Sequence, residues 1–199
     1  MKSTQEEVDV RLLLQAAYAA TQGYQTIVIN TDDTDVIVIC LGFHAYIQAN
    51  LFLKWGTGVQ TEMLDMKKIA ESIGLHVCQA LIGMHSYNGC DNVSSFAGKG
   101  KLSALKILDI NKYALNSFVK LGQEWEVSEH IMNGLESFTC HLYGGKSITN
   151  NKINNLIYHK LCARKAEIES HQLPLCQDCS CKHVLKDNYQ AVIWKEPSK

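Results

Sequence analysis

The chain has 199 residues, 46% hydrophobic and 20% charged, with a formal net charge of -1. That balance describes a globular chain long enough to bury one sizeable core, and it excludes an overall basic field, so a nucleic-acid partner has to be met by a local patch. Apolar runs stop short of a bilayer span and no basic-then-apolar secretory signal opens the sequence, so the chain reads as intracellular, with no membrane partner.

In chain order, Glu6 to Thr21 predicts a helix. Acids gather in its first turn, where they favour the dipole, and Val8, Leu12, Leu13, Ala16 and Ala17 form a stripe that ends before Gly23. "TIVIN" at 26–30 predicts a parallel strand buried on both faces, being short, continuously apolar and bounded by turn residues. "DVIVICLGF" fits strand or helix, and Asp33 as an N-cap after a short turn favours helix. "LFLKW" at 51–55 opens a hairpin that turns through Gly56-Thr57-Gly58 into a strand near 60–65. Helices follow from Met66 to Ile73, closed by Gly74, and from Leu75 towards "YNGCD". Beyond Asp91 the pattern is helical, near 101–109, 111–121, 127–143, 149–167 and 177–194. An α/β half followed by a helical half predicts an α/β domain over 1–95 and a helical extension over 96–199.

Ligands of open parallel sheets gather at the carboxyl ends of strands, where Asp32, Asp33 and Asp35 follow "TIVIN". Crowded carboxylates raise one another's pKa unless a cation neutralises them, and hard oxygen donors without His or Cys suit Mg²⁺ better than zinc. Two such ions clamp the attacking and leaving oxygens of a phosphodiester. Taken alone, the same run is a capped turn.

The ordered set changes the weighing. Glu7-Val8-Asp9 at a helix start, a strand, Asp33-Thr34-Asp35, Gly89-Cys90-Asp91, then Gly98-Lys99-Gly100 with Ala104 resembles the internal region of the flap-endonuclease/XPG superfamily. "EEVDVRLLL", "DTDVIVI", "GMHSYNGCDNVSSFAGKGK" and "NYQAVIW" resemble, more narrowly, uncharacterised animal proteins with a PIN-like domain. The resemblance implies a three-layer PIN-like fold with a central, mostly parallel sheet and one or two Mg²⁺ or Mn²⁺ ions held by Glu7, Asp9, Asp33, Asp35 and Asp91. Glu6 and Asp32 do not match and are assigned to capping or solvent. Residues two apart on a regular helix point about 200° from each other, so Glu7 and Asp9 share a site only at an irregular helix entrance or through water. The family's opening strand, its further acids and its threading arch have no counterpart here. The expectation is therefore an N-terminally truncated copy with an incomplete sheet, an exposed sheet edge and weak or absent hydrolysis, or a non-catalytic binding module derived from a nuclease.

From Lys99 to Lys120 there are five lysines and one acid, Asp109. Glycines let backbone N–H groups approach phosphate, so Gly98, Lys99, Gly100 and Lys101 are the candidate contacts to a nucleic-acid backbone, DNA rather than RNA, with solvated lysines as the bland alternative. The resemblance adds K⁺ at this helix-turn-helix-like turn, and nucleic-acid chemistry implies a nuclear location. Lys146, Lys152, Lys160, Arg164 and Lys165 accompany an apolar stripe of Ile153, Leu156, Ile157 and Leu161, which reads as a packing helix. Cys176, Cys179, Cys181 and His183 have the ligand chemistry of zinc, but the spacing is tight and a helix would turn Cys181 off the shared face, so a metal is not expected there. The eight cysteines form no framework and read as reduced thiols, several of them core residues. His85 receives no role, and Trp55, Trp125 and Trp194 read as packing residues.

Overall fold

A computed structural model describes residues 7–56, 58, 60–90, 95–96, 98–144, 152–163, 169 and 172–196. The chain forms two compact units, one running up to Ile82 and resuming at Ile193, the other from Gly83 to Val192. The expected division at 95/96 falls inside the second of these.

The first unit contains α1 (Val8–Thr21), β1 (Thr26–Thr31), α2 (Thr34–Phe43), a short 3-10 turn (His44–Tyr46), β2 (Asn50–Trp55), β3 (Glu62–Asp65), α3 (Met66–Ile73) and the start of α4 (Leu75–Asn88). "DVIVICLGF" is a helix, as its cap suggested, and it carries the chain across from β1 to the parallel strand β2. The sheet order is β1-β2-β3, with Ile29 opposite Leu53 in the parallel pair and Leu53 opposite Leu64 in the antiparallel hairpin. The expectation of a mostly parallel sheet is thus corrected to a mixed one. Gly56 takes φ 89°, and an added Cβ would collide with the Gln60 carbonyl, so the end of β2 requires glycine.

β1 is also not buried on both faces. It occupies an edge of the described sheet, and Val28 is 51% exposed while Ile29 alone of the strand is buried. The core instead gathers Val10 and Leu13 of α1, Val36 and Ile39 of α2, Leu53 of β2 and Met66 of α3. At Gly42 a Cβ would come within 2.6 Å of the Ile82 side chain, so the missing side chain lets α2 approach α4 closely. Asp65 caps α3 by accepting the Lys68 N–H at 3.1 Å, and Gly74 at φ 92° ends it.

The second unit takes the remainder of α4 and adds α5 (Lys101–Ile110), α6 (Lys112–Lys120), α7 (Glu129–Leu142), α8 (Ile153–Cys162) and α9 (Gln177–Lys195) as far as Val192. Its centre is Tyr87, fully buried. The Tyr87 hydroxyl shares a 2.7 Å hydrogen bond with Thr139, and its ring lies 5.2 to 5.9 Å from those of Phe96, Phe118, Phe138 and His183. Gly134 of α7 faces Ser117 of α6, whose Cβ would lie 2.7 Å from an added Cβ, so these helices also cross at close quarters. Buried Glu136 caps α8 from outside, accepting the Ile153 N–H at 3.0 Å and the Lys152 ammonium at 2.8 Å. Ile153 and Leu156 are buried as the α8 stripe predicted, although Leu161 is 41% exposed. Lys146, Arg164 and Lys165 lie outside the described residues. Asn188 of α9 accepts the Gly122 N–H at 2.8 Å and donates to the carbonyls of Glu124 and Trp125 at 2.9 and 3.1 Å, so one amide satisfies three backbone groups of the turn after α6.

Candidate functional site

Four of the five proposed acids lie in the first unit, on two helix entrances. Glu7 is the N-cap of α1 with extended backbone (φ -71°, ψ 124°), and Asp9 follows in the first helical turn. Glu7 is therefore off the regular helix, at the kind of irregular entrance from which it can share a site with Asp9. Asp33 is the N-cap of α2: its Oδ1 accepts the Asp35 N–H at 2.8 Å, while its own N–H donates to Thr31 Oγ1 at 3.1 Å. Asp35 is 6% exposed in the first turn, where the helix dipole favours its negative charge, and Asp32 is exposed.

The 14 residues of α1 span about 21 Å and the six of β1 about 20 Å, and only residues 22–25 join them. Helix α1 packs on both β1 and α2. The entrance of α2, with Asp33 and Asp35, lies at the carboxyl end of a parallel strand, as the sequence led one to expect. Even so, among the described residues no three His, Cys, Asp or Glu side chains gather as a metal-holding group. Asp91 lies outside the described residues. Glu7, Asp9, Asp33 and Asp35 have the right donor chemistry for Mg²⁺ or Mn²⁺ but do not make up a closed site by themselves, and one Asp33 oxygen is already committed to its cap.

A cavity of about 560 Å³ opens at the amino ends of β1 and β2, lined among others by Gln25, His44, Gln48, Asn50, Lys67 and Glu71. It contains none of the proposed acids.

In the second unit, Gly98 has φ 69°, a conformation that favours glycine, whereas Gly100 is an ordinary N-cap of α5 (φ -76°, ψ 155°) with open space at its Cα. The Lys99 ammonium lies 4.6 Å from the Tyr143 ring centre, and Lys101 is exposed with its ammonium 3.5 Å from His85 Nε2. Lys106, Lys112 and Lys120 are exposed on α5 and α6. His85 itself is 1% exposed.

The His183 ring packs 5.2 and 5.0 Å from those of Tyr87 and Phe96. Its Nε2 lies 3.0 Å from the Tyr87 carbonyl and 3.3 Å from the fully buried Asp187 carboxyl. Burial lowers the His183 pKa and pushes Asp187 up to about 9, so the pair is neutral near pH 7. Cys176, Cys179 and Cys181 are exposed, while Cys40, Cys78 and Cys140 are buried and unreactive, their thiols raised by burial, Cys40 to about 12 and Cys140 to about 11. Trp125 is corrected: it is 60% exposed, with its ring 5.7 Å from that of Tyr189, whereas Trp194 is buried. Sequence reasoning passed over Asp187, whose one legible signal was its i,i+4 spacing from His183, and Glu136, whose role as a cap from another helix leaves no local signal. Neither a family model, a curated protein nor a solved structure matches the chain.

Proposed function

We propose that this chain is a nuclease-like, PIN-type module that holds nucleic-acid backbone, DNA in preference to RNA, and hydrolyses phosphodiesters weakly or not at all. The observation that carries this reading is the position of Asp33 and Asp35 at the carboxyl end of a parallel strand, on the entrance of the helix that follows it. Mg²⁺ or Mn²⁺ held by Glu7, Asp9, Asp33 and Asp35 would supply Lewis-acid chemistry for hydrolysis. Because the described acids do not close a site, we assign no catalytic step to it. The backbone grip belongs to Gly98, Lys99, Gly100 and Lys101, with the exposed lysines of α5 and α6 behind them and K⁺ as the turn's ion.

A purely non-catalytic binding module is the second reading, favoured by the commitment of Asp33 to capping. Cleavage of labelled flap and single-stranded DNA in Mn²⁺ separates the two. Weak cleavage lost in both Asp33→Asn and Asp35→Asn supports the nuclease-like site; none at all leaves the binding module; robust turnover overturns the weak-hydrolysis reading. Asn at position 33 keeps the capping oxygen, so loss of activity there is not loss of fold. Binding is read by anisotropy across a salt series. The Lys99→Glu/Lys101→Glu variant is expected to bind more weakly, with a log–log salt slope smaller by about 2. An unchanged slope removes this turn from the interface.

A further inference from the structure

We propose that Cys176 and Cys179 are a redox-active dithiol, which exchanges with low-molecular-weight disulfides and closes into an intramolecular disulfide across the first turn of α9. Both thiols are free and exposed. The Ser180 N–H donates to the Cys176 carbonyl at 2.8 Å, so residue 176 already closes the first turn and sits at the cap position. Helical geometry then sets the two Cα atoms about 5 Å apart, inside the span a disulfide bridges.

Cys176 stands just ahead of α9, where the N–H groups and the dipole of the first helical turn favour an anion. The Gln177 N–H of this turn is taken by Asn154 Oδ1 at 3.2 Å. This surrounding suits an anion, and the Cys176 pKa is lowered, first by the backbone hydrogen bond from Cys179 and then by that residue's thiol. The pKa of Cys179 is raised, chiefly by donating to Cys176 and by the charge there.

That pairing orders the chemistry. The Cys176 thiolate attacks one sulfur of a disulfide R–S–S–R; the reagent's S–S bond breaks, one thiolate leaves and takes a proton, and R–S remains bonded to Cys176. The charge that held the Cys179 proton in place is now gone. Cys179 ionises, attacks the Cys176 sulfur and expels the second R–S⁻, which is protonated in turn. Two electrons and two protons pass from the dithiol to the reagent. Rival partners are poorly placed. Cys181 is two residues from Cys179, pointing about 200° away on a helix, and Cys162 lies at the far end of α8 from Asn154, about 12 Å along the axis.

The full chain is equilibrated with glutathione and glutathione disulfide at graded ratios in the presence of a chelator, quenched with alkylating reagent and mapped by mass. The expected result is a bridge between positions 176 and 179, with Cys176 alkylated about threefold or more faster than Cys181 in the reduced protein. In Cys179→Ser a glutathione adduct persists on Cys176; in Cys176→Ser, where serine still caps the helix, no bridge forms. The proposal fails if the pair stays reduced at every ratio, if bridges map to Cys162 or Cys181, if Cys176 alkylates no faster than Cys181, or if protein purified without chelator carries a stoichiometric zinc ion on these sulfurs. None of these outcomes depends on nucleic-acid binding.

Discussion

Asp33 shows how one side chain serves the fold before it can serve any chemistry. Its Oδ1 satisfies an N–H that would otherwise be orphaned at the start of α2, and its own N–H is held by Thr31. Asp33→Ala should therefore cost about 1 kcal/mol in urea unfolding, whereas Asp33→Asn, which keeps the accepting oxygen, should lose only a few tenths. Equal losses in both variants would mean that charge, rather than capping, is what α2 needs. The cap was legible because Asp followed by an apolar run has few other uses. The burial of Asp35 was not, since it depends on what packs over the first turn. Trp125 was misread for a related reason: composition says that a tryptophan tends to be covered, but here it stays 60% exposed beside the Tyr189 ring.

At the level of the helix, α9 places His183 and Asp187 one turn apart and faces both inward. Asp187 has a folded pKa raised to about 9 from 3.8, so the folded state keeps a proton that the unfolded chain gives up. Its contribution to stability is lost as pH rises across that interval. His183 acts in the opposite sense: with its pKa lowered from 6.5, its contribution is complete above that value and is lost on acidification. Lys195, lowered by burial to about 8, adds stability with rising pH above that point. Between about pH 6.5 and 8, Asp187 therefore acts alone among these three. Thermal melts should show Tm falling through this window, and Asp187→Asn should flatten the fall and raise Tm at pH 8. A wild-type profile flat from pH 6.5 to 8 would show that Asp187 is not held as the neutral acid. Helix α9 itself was readable from Gln177 onward, but which of its polar residues faced inward was not, because its exposed and buried positions both mix charged with apolar side chains.

Across the whole molecule, most elements matched their sequence signals, because caps, glycine stops and apolar runs are local. Sheet exposure and unit boundaries are not. "TIVIN" has the composition of a doubly covered strand, yet β1 leaves Val28 open beside an edge, and α4 and α9 run unbroken through both divisions between the units. Helical periodicity carries no mark where a helix passes from one set of neighbours to another. An open edge with an exposed β-branched residue favours strand-to-strand association, so Val28→Lys should lower light scattering at raised protein concentration with Tm unchanged. Equal scattering would place self-association elsewhere. The nesting of the units has a further consequence for synthesis on the ribosome. Residues 83–192 can close as soon as they emerge, whereas the earlier-made unit lacks its buried Trp194 until translation has passed beyond them. The part made first is then the part finished last, and a chain stopped anywhere within the inserted segment leaves both units incomplete.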